Sequence, residues 1–253
     1  MVWDPKLFKD HYEKSTNNNI IRLNSEKRKL EFYMNAFALK GSEVVLDVGC
    51  GYGRLSKLIV NDVNKIIGID INPENISYAK QYVGAKFEGH VVDLSLGVLP
   101  FPDKSIDKIV FDNVLMFFDD KVQAALFKES KRILKDGGVV AFNIENSNYF
   151  LIQVSNFFTF LYKLKAKIQG KVTPVHNKYP LSFYEKILPH LGFTGLTSIG
   201  DTFYRKMGVG VIEIFPGFLH TYIMKRDQKY YNTSQKNRMS SFTVAASLPK
   251  ARI

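Results

Sequence analysis

One stretch, residues 44–56, constrains the fold of this 253-residue chain more than any other. It begins with the apolar run VVLDV, a pattern typical of a strand that is buried on both faces of a parallel sheet. Gly49, Gly51 and Gly53 follow, and an amphipathic run begins at Arg54. Glycine readily adopts positive φ angles and allows a ligand to approach the backbone closely. Strand, glycine turn and helix together predict the first half of a nucleotide-binding βαβ unit.

The spacing of the glycines indicates which class of nucleotide ligand the turn would bind. A dinucleotide fingerprint reads G-x-G-x-x-G, whereas this turn reads G-x-G-x-G and has Arg54 at the position of the third glycine. The next apolar run, KIIGID, ends in Asp70, about 20 positions after the first glycine. An acid at the tip of the second strand can accept hydrogen bonds from both ribose hydroxyls of an adenosine. A third apolar run ends in another acid, Asp93.

From residue 44 to residue 144 the chain resembles the class I S-adenosylmethionine-dependent methyltransferases. The nearest likeness is to the small-molecule group known as methyltransferase type 11, which includes the quinone-biosynthesis methyltransferases. Two further blocks follow the glycine turn and its acids in the family's order: LPFPDKSIDKIVFDNVLMFF at 99–118, and LKDGG at 134–138. Nicotinamide-dependent dehydrogenases lack these blocks, so the pattern favours a methyltransferase over a dehydrogenase.

Strands alternate with helices along the chain, which predicts an α/β fold with a doubly wound, mostly parallel sheet. The resemblance implies seven strands, N-terminal helices, and a helical cap inserted after strand 5. The predicted strands cover residues 43–47, 65–70, 85–93, 108–111, 139–144, 194–203 and 220–225. The predicted helices cover residues 6–13, 25–39, 53–61, 72–82, 121–134, 150–168 and 181–188.

The chain divides into three regions on this pattern. Residues 1–42 form an N-terminal helical cap, and residues 43–226 form the methyltransferase domain. Within that domain, residues 146–180 are the insertion that we expect to cover the substrate. Residues 227–253 are polar and basic with few core positions, which predicts a disordered tail.

The resemblance implies one cofactor, S-adenosylmethionine, and a set of residues that bind it. The glycine turn would border the methionine and ribose portions, Asp70 would bind the ribose hydroxyls, and Asp93 would bind the adenine amino group. Asp47 would orient the amino group of the methionine portion through the turn, and Asn113 would face the methionine end. The full implied set is Asp47, Gly49, Cys50, Gly51, Gly53, Asp70, Ile71, Asp93, Leu94 and Asn113.

The sequence identifies no general base and predicts no metal site. Methylation of a hydroxyl or of an activated ring carbon needs help with deprotonation, whereas methylation of an amine does not always need it. His176 in the expected cap is the first candidate base, and His11 and Tyr179 come next. Among the N-terminal residues, Tyr12 or Arg22 would either face the cofactor or pack against the edge of the sheet.

The distribution of charge leaves several partners open. Of the net charge of +11, most falls in residues 142–253, which carry 15 basic and 5 acidic side chains. Such an excess suits a nucleic acid, an anionic membrane surface or an acidic substrate, and it is equally common on an ordinary solvated surface. A single cysteine excludes a disulfide within the chain. We find no signal-peptide pattern and no apolar run long enough to span a membrane, so we expect a cytoplasmic location.

The leading hypothesis is a methyltransferase that acts on a small molecule at an O, N or C atom. The phenylalanine-rich stretch within residues 150–160 suggests an apolar or aromatic acceptor. The first alternative is a tRNA or rRNA methyltransferase, although residues 112–115 read DNVL where an amino-methylating enzyme would carry an Asn-Pro-Pro-Tyr-type motif. The second alternative is a non-catalytic subunit that binds S-adenosylmethionine and assists a partner. The sequence leaves the oligomeric state open.

Overall fold

The structure, a computed structural model, describes residues 20–147, 177–200 and 241–250, with side chains from residue 26 onward. The strands are β1 (Val44–Val48), β2 (Lys65–Asp70), β3 (Phe87–Val91), β4 (Ile106–Phe111), β5 (Leu134–Glu145), β6 (Thr194–Gly200) and β7 (Ser241–Ser247). The α-helices are α1 (Ile20–Phe37), α2 (Arg54–Ile59), α3 (Pro73–Val83), α4 (Asp120–Ile133) and α5 (Leu181–His190). Short 3₁₀ turns cover Val60–Asp62 and Leu115–Phe117.

The seven strands form one sheet in the order β3-β2-β1-β4-β5-β7-β6. Every neighbouring pair is parallel except the two that involve β7, which runs antiparallel to both β5 and β6. This confirms the predicted fold class of a seven-stranded, mostly parallel sheet. The chain runs outward from β1 to β3 and then returns to β4 on the other side of β1, which leaves a crevice at the carboxyl ends of β1 and β4.

Helices cover both faces of the sheet, as the nearly continuous apolar strands require. On one face, α1, α2 and α3 pack over a core that includes Tyr33, Ile66 and Ile76. On the other face, α4 and α5 pack over a second core, to which they contribute Phe127 and Tyr184. Since each face buries its own apolar cluster, the strands β1, β2, β4 and β5 are fixed between two layers.

Local signals in the sequence start the helices where the structure places them. Asn72 caps α3, because its side-chain oxygen accepts a hydrogen bond from the backbone N–H of Glu74 at 2.8 Å, and Pro73 occupies the first helical position. Asp119 caps α4 in the same way through the N–H of Val122 at 2.9 Å. These caps satisfy donors that the first helical turn leaves without a partner.

The C-terminal end of the chain departs from the predictions. The seventh described strand is Ser241–Ser247, which the sequence did not predict, whereas the strand predicted at 220–225 lies outside the described residues. The disordered tail predicted for 227–253 is wrong over residues 241–250, of which 241–246 are buried. The basic stretch before residue 240 suggested a solvated tail, but the small and β-branched side chains of SFTVAAS suit a strand that is covered on both faces.

Several predictions fall on residues outside the part of the chain that the structure describes. These include the first helix at 6–13, most of the cap insertion, and residues 220–225. His11, Tyr12 and His176 lie there as well, and Arg22 lies in α1 without a described side chain. Among the described helices, none combines the length and apolar character needed to cross a bilayer.

Candidate functional site

The glycine turn lies at the carboxyl end of β1, and its three glycines all have positive φ angles: 68° at Gly49, 53° at Gly51 and 84° at Gly53. A Cβ atom at Gly49 would lie 2.4 Å from Val114, and one at Gly53 would lie 2.6 Å from Val83. A Cβ atom at Gly51 would meet no atom of the described residues within 4 Å. Two of the glycines therefore allow close packing of the turn, while the middle one faces open space.

Asp70, the last residue of β2, fixes the position of this turn. One carboxylate oxygen accepts a hydrogen bond from the backbone N–H of Gly51 at 2.9 Å. The other accepts from the N–H of Asn72 at 2.9 Å and from the side-chain amide of Asn75 at 3.0 Å. Three donors thus orient the Asp70 carboxylate at the edge of the open space above Gly51.

The predicted adenine end lies beyond β2 and β3, and its residues differ in exposure. Ile71, directly after Asp70, is 64% exposed, whereas Leu94 is buried. Asp93 is exposed, and its carboxylate accepts a hydrogen bond from the N–H of Ser95 at 2.8 Å. The bond to this N–H holds the pKa of Asp93 below its usual range, so the group is ionised at neutral pH.

Asp47 lies beneath the turn in β1 and is 2% exposed. Burial raises the pKa of its carboxyl to about 7, although the Ser56 hydroxyl counteracts this by donating a hydrogen bond at 2.7 Å. The nearby charges of Asp112 and Asp70 raise this pKa further, and Arg54 lowers it. The buried carboxyl therefore joins β1 to α2 under the turn.

Asn113 follows β4 and has a φ angle of 59°, which is unusual for a residue other than glycine. Its backbone N–H donates to the side-chain oxygen of Asn143 at 2.6 Å, and its own side-chain oxygen accepts from the Asn143 amide at 2.6 Å. The side chain of Asn113 is thus engaged with β5. Sequence reasoning missed Asn143, whose one signal is a polar residue inside the apolar run VVAFNIE.

Cys50 contributes to this site through its backbone and through a thiol that donates to the Gly51 carbonyl at 3.5 Å. Its N–H donates to the carbonyl of Ile69 at 2.9 Å, and its side chain is buried in the core on the α1–α3 face of the sheet. Burial raises the pKa of the thiol well above its usual range. The thiol is therefore protonated at neutral pH, and the small size of cysteine is what this position uses.

Of the three candidate bases, the structure describes only Tyr179. Its ring stacks on Phe183 with centroids 4.7 Å apart. Burial raises the pKa of the phenol, the charge of Asp120 raises it further, and a hydrogen bond from the Asp120 backbone partly counteracts both. The phenol is therefore protonated at neutral pH, and the role of Tyr179 as a base stays a prediction.

Sequence reasoning also missed two charged residues at the crevice, Arg54 and Asp112. The Arg54 guanidinium contacts the Asp112 carboxylate at 2.6 Å. The signal that could have found them is the basic residue at the position of the third glycine, together with an acid directly before Asn113. Their ion pair joins the start of α2 to the end of β4.

The polar and apolar groups beside the glycine turn suit S-adenosylmethionine. Within the described part of the chain, Gly51 leaves room above the turn, because a Cβ atom there would contact no described atom within 4 Å. Ionised Asp93 and the oriented Asp70 carboxylate offer acceptors for hydroxyl and amino groups. Ile71, which directly follows Asp70, offers an exposed apolar surface. An adenosine needs hydrogen-bond acceptors for its ribose hydroxyls and an apolar contact for its adenine ring.

Comparison with known proteins gives a consistent result. Residues 46–142 match a family model described as a methyltransferase domain. A Mycolicibacterium smegmatis protein named "probable S-adenosylmethionine-dependent methyltransferase" is 28% identical over 173 residues, which is 67% of this chain and 58% of that protein. The demethylmenaquinone methyltransferase of Tropheryma whipplei is 36% identical over 100 residues, which is 38% of this chain and 39% of that enzyme.

Solved structures share the fold over most of the chain. An S-adenosylmethionine-dependent methyltransferase from Archaeoglobus fulgidus has a TM-score of 0.56 with 19% identity, and the match covers 88% of this chain and 94% of that one. This chain spans only part of the first curated relatives: the match covers 55% of one and 58% of the other.

Proposed function

We propose that this chain, which belongs to the class I S-adenosylmethionine-dependent methyltransferases, transfers a methyl group to a small apolar or aromatic molecule. The observation that carries the proposal is the contact between the Gly51 N–H and the Asp70 carboxylate at the switch point of the sheet. This hydrogen bond holds the glycine turn next to a carboxylate that can accept hydrogen bonds from ribose hydroxyls. The described residues leave the space above the turn open to a ligand. S-adenosylmethionine is the cofactor of this family, and when bound it supplies an electrophilic methyl group.

In this proposal the described residues bind and orient, and a base takes the proton that the acceptor releases. His176 and His11 are the candidates for that base, and both lie outside the described residues. Asp70 accepts from the ribose hydroxyls, and Asp93 accepts from the adenine amino group with Ile71 and Leu94 against the ring. Asp47 acts through the turn on the amino group of the methionine portion. Asn113 holds the segment after β4 in place, since its side chain is engaged with Asn143. Fixing two reactants in line in this way removes much of the entropic cost of a bimolecular step.

Aromatic side chains near the same edge of the sheet support an apolar acceptor. Phe117 is 53% exposed, a few residues after Asn113. The backbone N–H of Asn177 donates to the carbonyl of Met116 at 2.7 Å, which brings the stacked rings of Tyr179 and Phe183 to this segment. One relative in the comparison is a demethylmenaquinone methyltransferase, and a hydroquinone ring suits such a surface.

The test is a transfer assay with S-adenosylmethionine that carries a radiolabelled methyl group. The acceptors are a short-chain demethylated naphthohydroquinone, a catechol and total tRNA, and the control protein is Asp70→Asn. We expect label in the hydroquinone and none with Asp70→Asn. Label in tRNA alone would replace this proposal with RNA methylation. Cofactor binding without transfer to any of the three would favour a non-catalytic subunit.

A further inference from the structure

Four charged side chains from three parts of the fold form a continuous ion-pair cluster beside the crevice. Lys29 in α1 contacts Asp112 at 2.8 Å and Glu26 at 2.9 Å. Arg54 contacts the same two acids, Asp112 at 2.6 Å and Glu26 at 3.2 Å. We call these four residues the charged cluster. Its two acids and two bases balance, so each charge has a partner of opposite sign on another element or on the next turn of α1.

The charged cluster is buried, which sets it apart from surface ion pairs. The side chain of Lys29 is 2% exposed, Asp112 is 8%, Glu26 is 9% and Arg54 is 23%. Removing charges from water is costly, and burial of an ion pair is repaid only when its geometry is good and its hydrogen bonds are satisfied. Removing one member leaves the others as buried, incompletely paired charges, so the four side chains act as a unit.

Apolar contacts hold the carboxyl-terminal part of α1 against the sheet, and they adjoin the cluster, because the Tyr33 hydroxyl donates a hydrogen bond to Asp112 at 3.3 Å. Tyr33 and Phe37 are each 1% exposed, and their rings stack with centroids 6.3 Å apart within the apolar core. This apolar anchor lies in the second half of α1. The charged residues Glu26 and Lys29 precede it in the helix, and there they contact the two segments that border the crevice.

Those two segments carry the residues expected to bind the cofactor. Arg54 directly follows Gly53, the last glycine of the turn, and Asp112 directly precedes Asn113. Asn113 has the positive φ angle and the reciprocal bonds to Asn143 described above. A shift of Arg54 or Asp112 would therefore move the turn or the segment after β4.

We propose that the charged cluster couples the docking of α1 to cofactor binding, and that Lys29 and Glu26 are positioning residues for the cofactor site. This inference rests on the proposed function, because it concerns the same crevice. Lys29 and Glu26 act through Arg54 and Asp112, which hold the two segments at the distance that the cofactor needs. Coupling between two sites is reciprocal, so cofactor binding should also stabilise the docked position of α1.

The experiment compares Lys29→Met, Asp112→Asn and the double variant with Lys27→Met. Methionine keeps nearly the length of lysine without its charge. Lys27 lies on the same helix, but it is 72% exposed and its partner Glu31 is 3.9 Å away, so it is a matched control. Affinity for S-adenosylhomocysteine is measured by calorimetry, and amide hydrogen exchange of residues 20–37 is measured with and without this ligand in the full chain.

We expect each single variant to bind S-adenosylhomocysteine at least tenfold more weakly, and the double variant to bind about as weakly as either single one. The ligand should slow hydrogen exchange of α1 in the wild type and in Lys27→Met, but not in Lys29→Met. If Lys29→Met does not fold, Glu26→Gln is measured instead, with the same expected loss. A purely structural cluster would lower the melting temperature and leave affinity and ligand-induced protection unchanged, which would overturn the inference. Absence of binding by the wild type would overturn the proposed function, and this inference with it.

Discussion

At the glycine turn, the three glycines differ in what their missing side chains make possible. Gly49 leaves room for Val114, and Gly53 leaves room for Val83. At Gly51 no described atom occupies the space that a Cβ atom would face. Gly41 offers a comparison, because it also has a positive φ angle, 88°, and open space where a Cβ atom would lie, but it precedes β1. Gly41 and Gly51 thus share their backbone requirement and differ in their position relative to the crevice.

We predict that Gly51→Ala and Gly41→Ala lose similar stability but differ in ligand affinity. A left-handed backbone costs an alanine about 1–2 kcal/mol, so both variants should unfold at slightly lower urea concentrations. Only the Gly51→Ala methyl group enters the proposed cofactor space, and the affinity of this variant for S-adenosylhomocysteine should fall more than tenfold. Equal affinity in the two variants would mean that the cofactor does not approach this turn.

The buried carboxyl of Asp47 predicts a dependence of stability on pH. Its pKa is about 7 in the folded protein against an ordinary value of 3.8, so the folded state retains the proton to a higher pH than the unfolded state does. The stability that this proton contributes is complete below the unfolded pKa and is lost as the pH rises through about 7. The loss between about pH 5 and pH 8 should be roughly 2–3 kcal/mol, at 1.36 kcal/mol per pKa unit.

The measurement is urea unfolding of the cofactor-free wild type and Asp47→Asn across this pH range. Asparagine keeps the shape and can still accept the Ser56 hydrogen bond, but it does not titrate. Other groups titrate equally in both proteins, so the difference between the two curves isolates Asp47. A difference that stays constant from pH 5 to pH 8 would show that Asp47 is already ionised at the lower pH.

Residue-scale prediction from the sequence succeeds where a residue follows directly from a pattern along the chain. Asp70 could be placed because it ends a recognisable apolar strand. Asn143 and Lys29 could not, because their roles depend on partners that are 30 and 83 positions away. Only the sheet order brings β4 beside β5, and only the packing of α1 brings Lys29 to Asp112.

At the scale of elements, the first six strands could be predicted and the seventh could not. β1 to β4 are short apolar runs separated by turns or capped helices, so the local sequence marks both ends of each. β7 has no such marker, because its small side chains resemble a polar tail and only its pairing with β5 and β6 places it in the sheet. A strand whose two partners begin about a hundred and about fifty residues earlier gains its stability from tertiary packing alone.

We predict that Phe242 in β7 is essential for stability. Its side chain is fully buried, and it pairs with Ile144 of β5 and Gly200 of β6. Phe242→Ala should lower the free energy of unfolding by about 3–5 kcal/mol, as measured by urea denaturation. Lys250→Ala, on an exposed side chain in the same segment, should stay within about 0.5 kcal/mol of the wild type. Similar effects of the two substitutions would contradict a β7 inserted between β5 and β6.

At the scale of the whole molecule, charge and function separate along the chain. Residues 43–141, which supply the crevice, carry 12 basic and 14 acidic side chains. The basic excess of the second half falls mostly in residues 148–176 and 201–240, outside the described part of the chain. The part of the chain that supplies the crevice therefore has no strong net charge. Any contact with tRNA or an anionic membrane should be made by residues 142–253, and it should weaken as salt is added.

The crevice at the carboxyl ends of β1 and β4 should bind S-adenosylmethionine, with Asp70 at the adjacent end of β2 accepting from its ribose. Every functional proposal above depends on this. The most direct test is a calorimetric titration of the wild type, Asp70→Asn and Asp62→Asn with S-adenosylmethionine, S-adenosylhomocysteine and NAD. Asp62 is an exposed acid at the end of a 3₁₀ turn, so its variant controls for a change in charge. We predict micromolar binding of both sulfur compounds to the wild type and Asp62→Asn, at least tenfold weaker binding to Asp70→Asn, and no binding of NAD. Binding of NAD instead, or equal affinity of Asp70→Asn and the wild type, would contradict this assignment of the crevice.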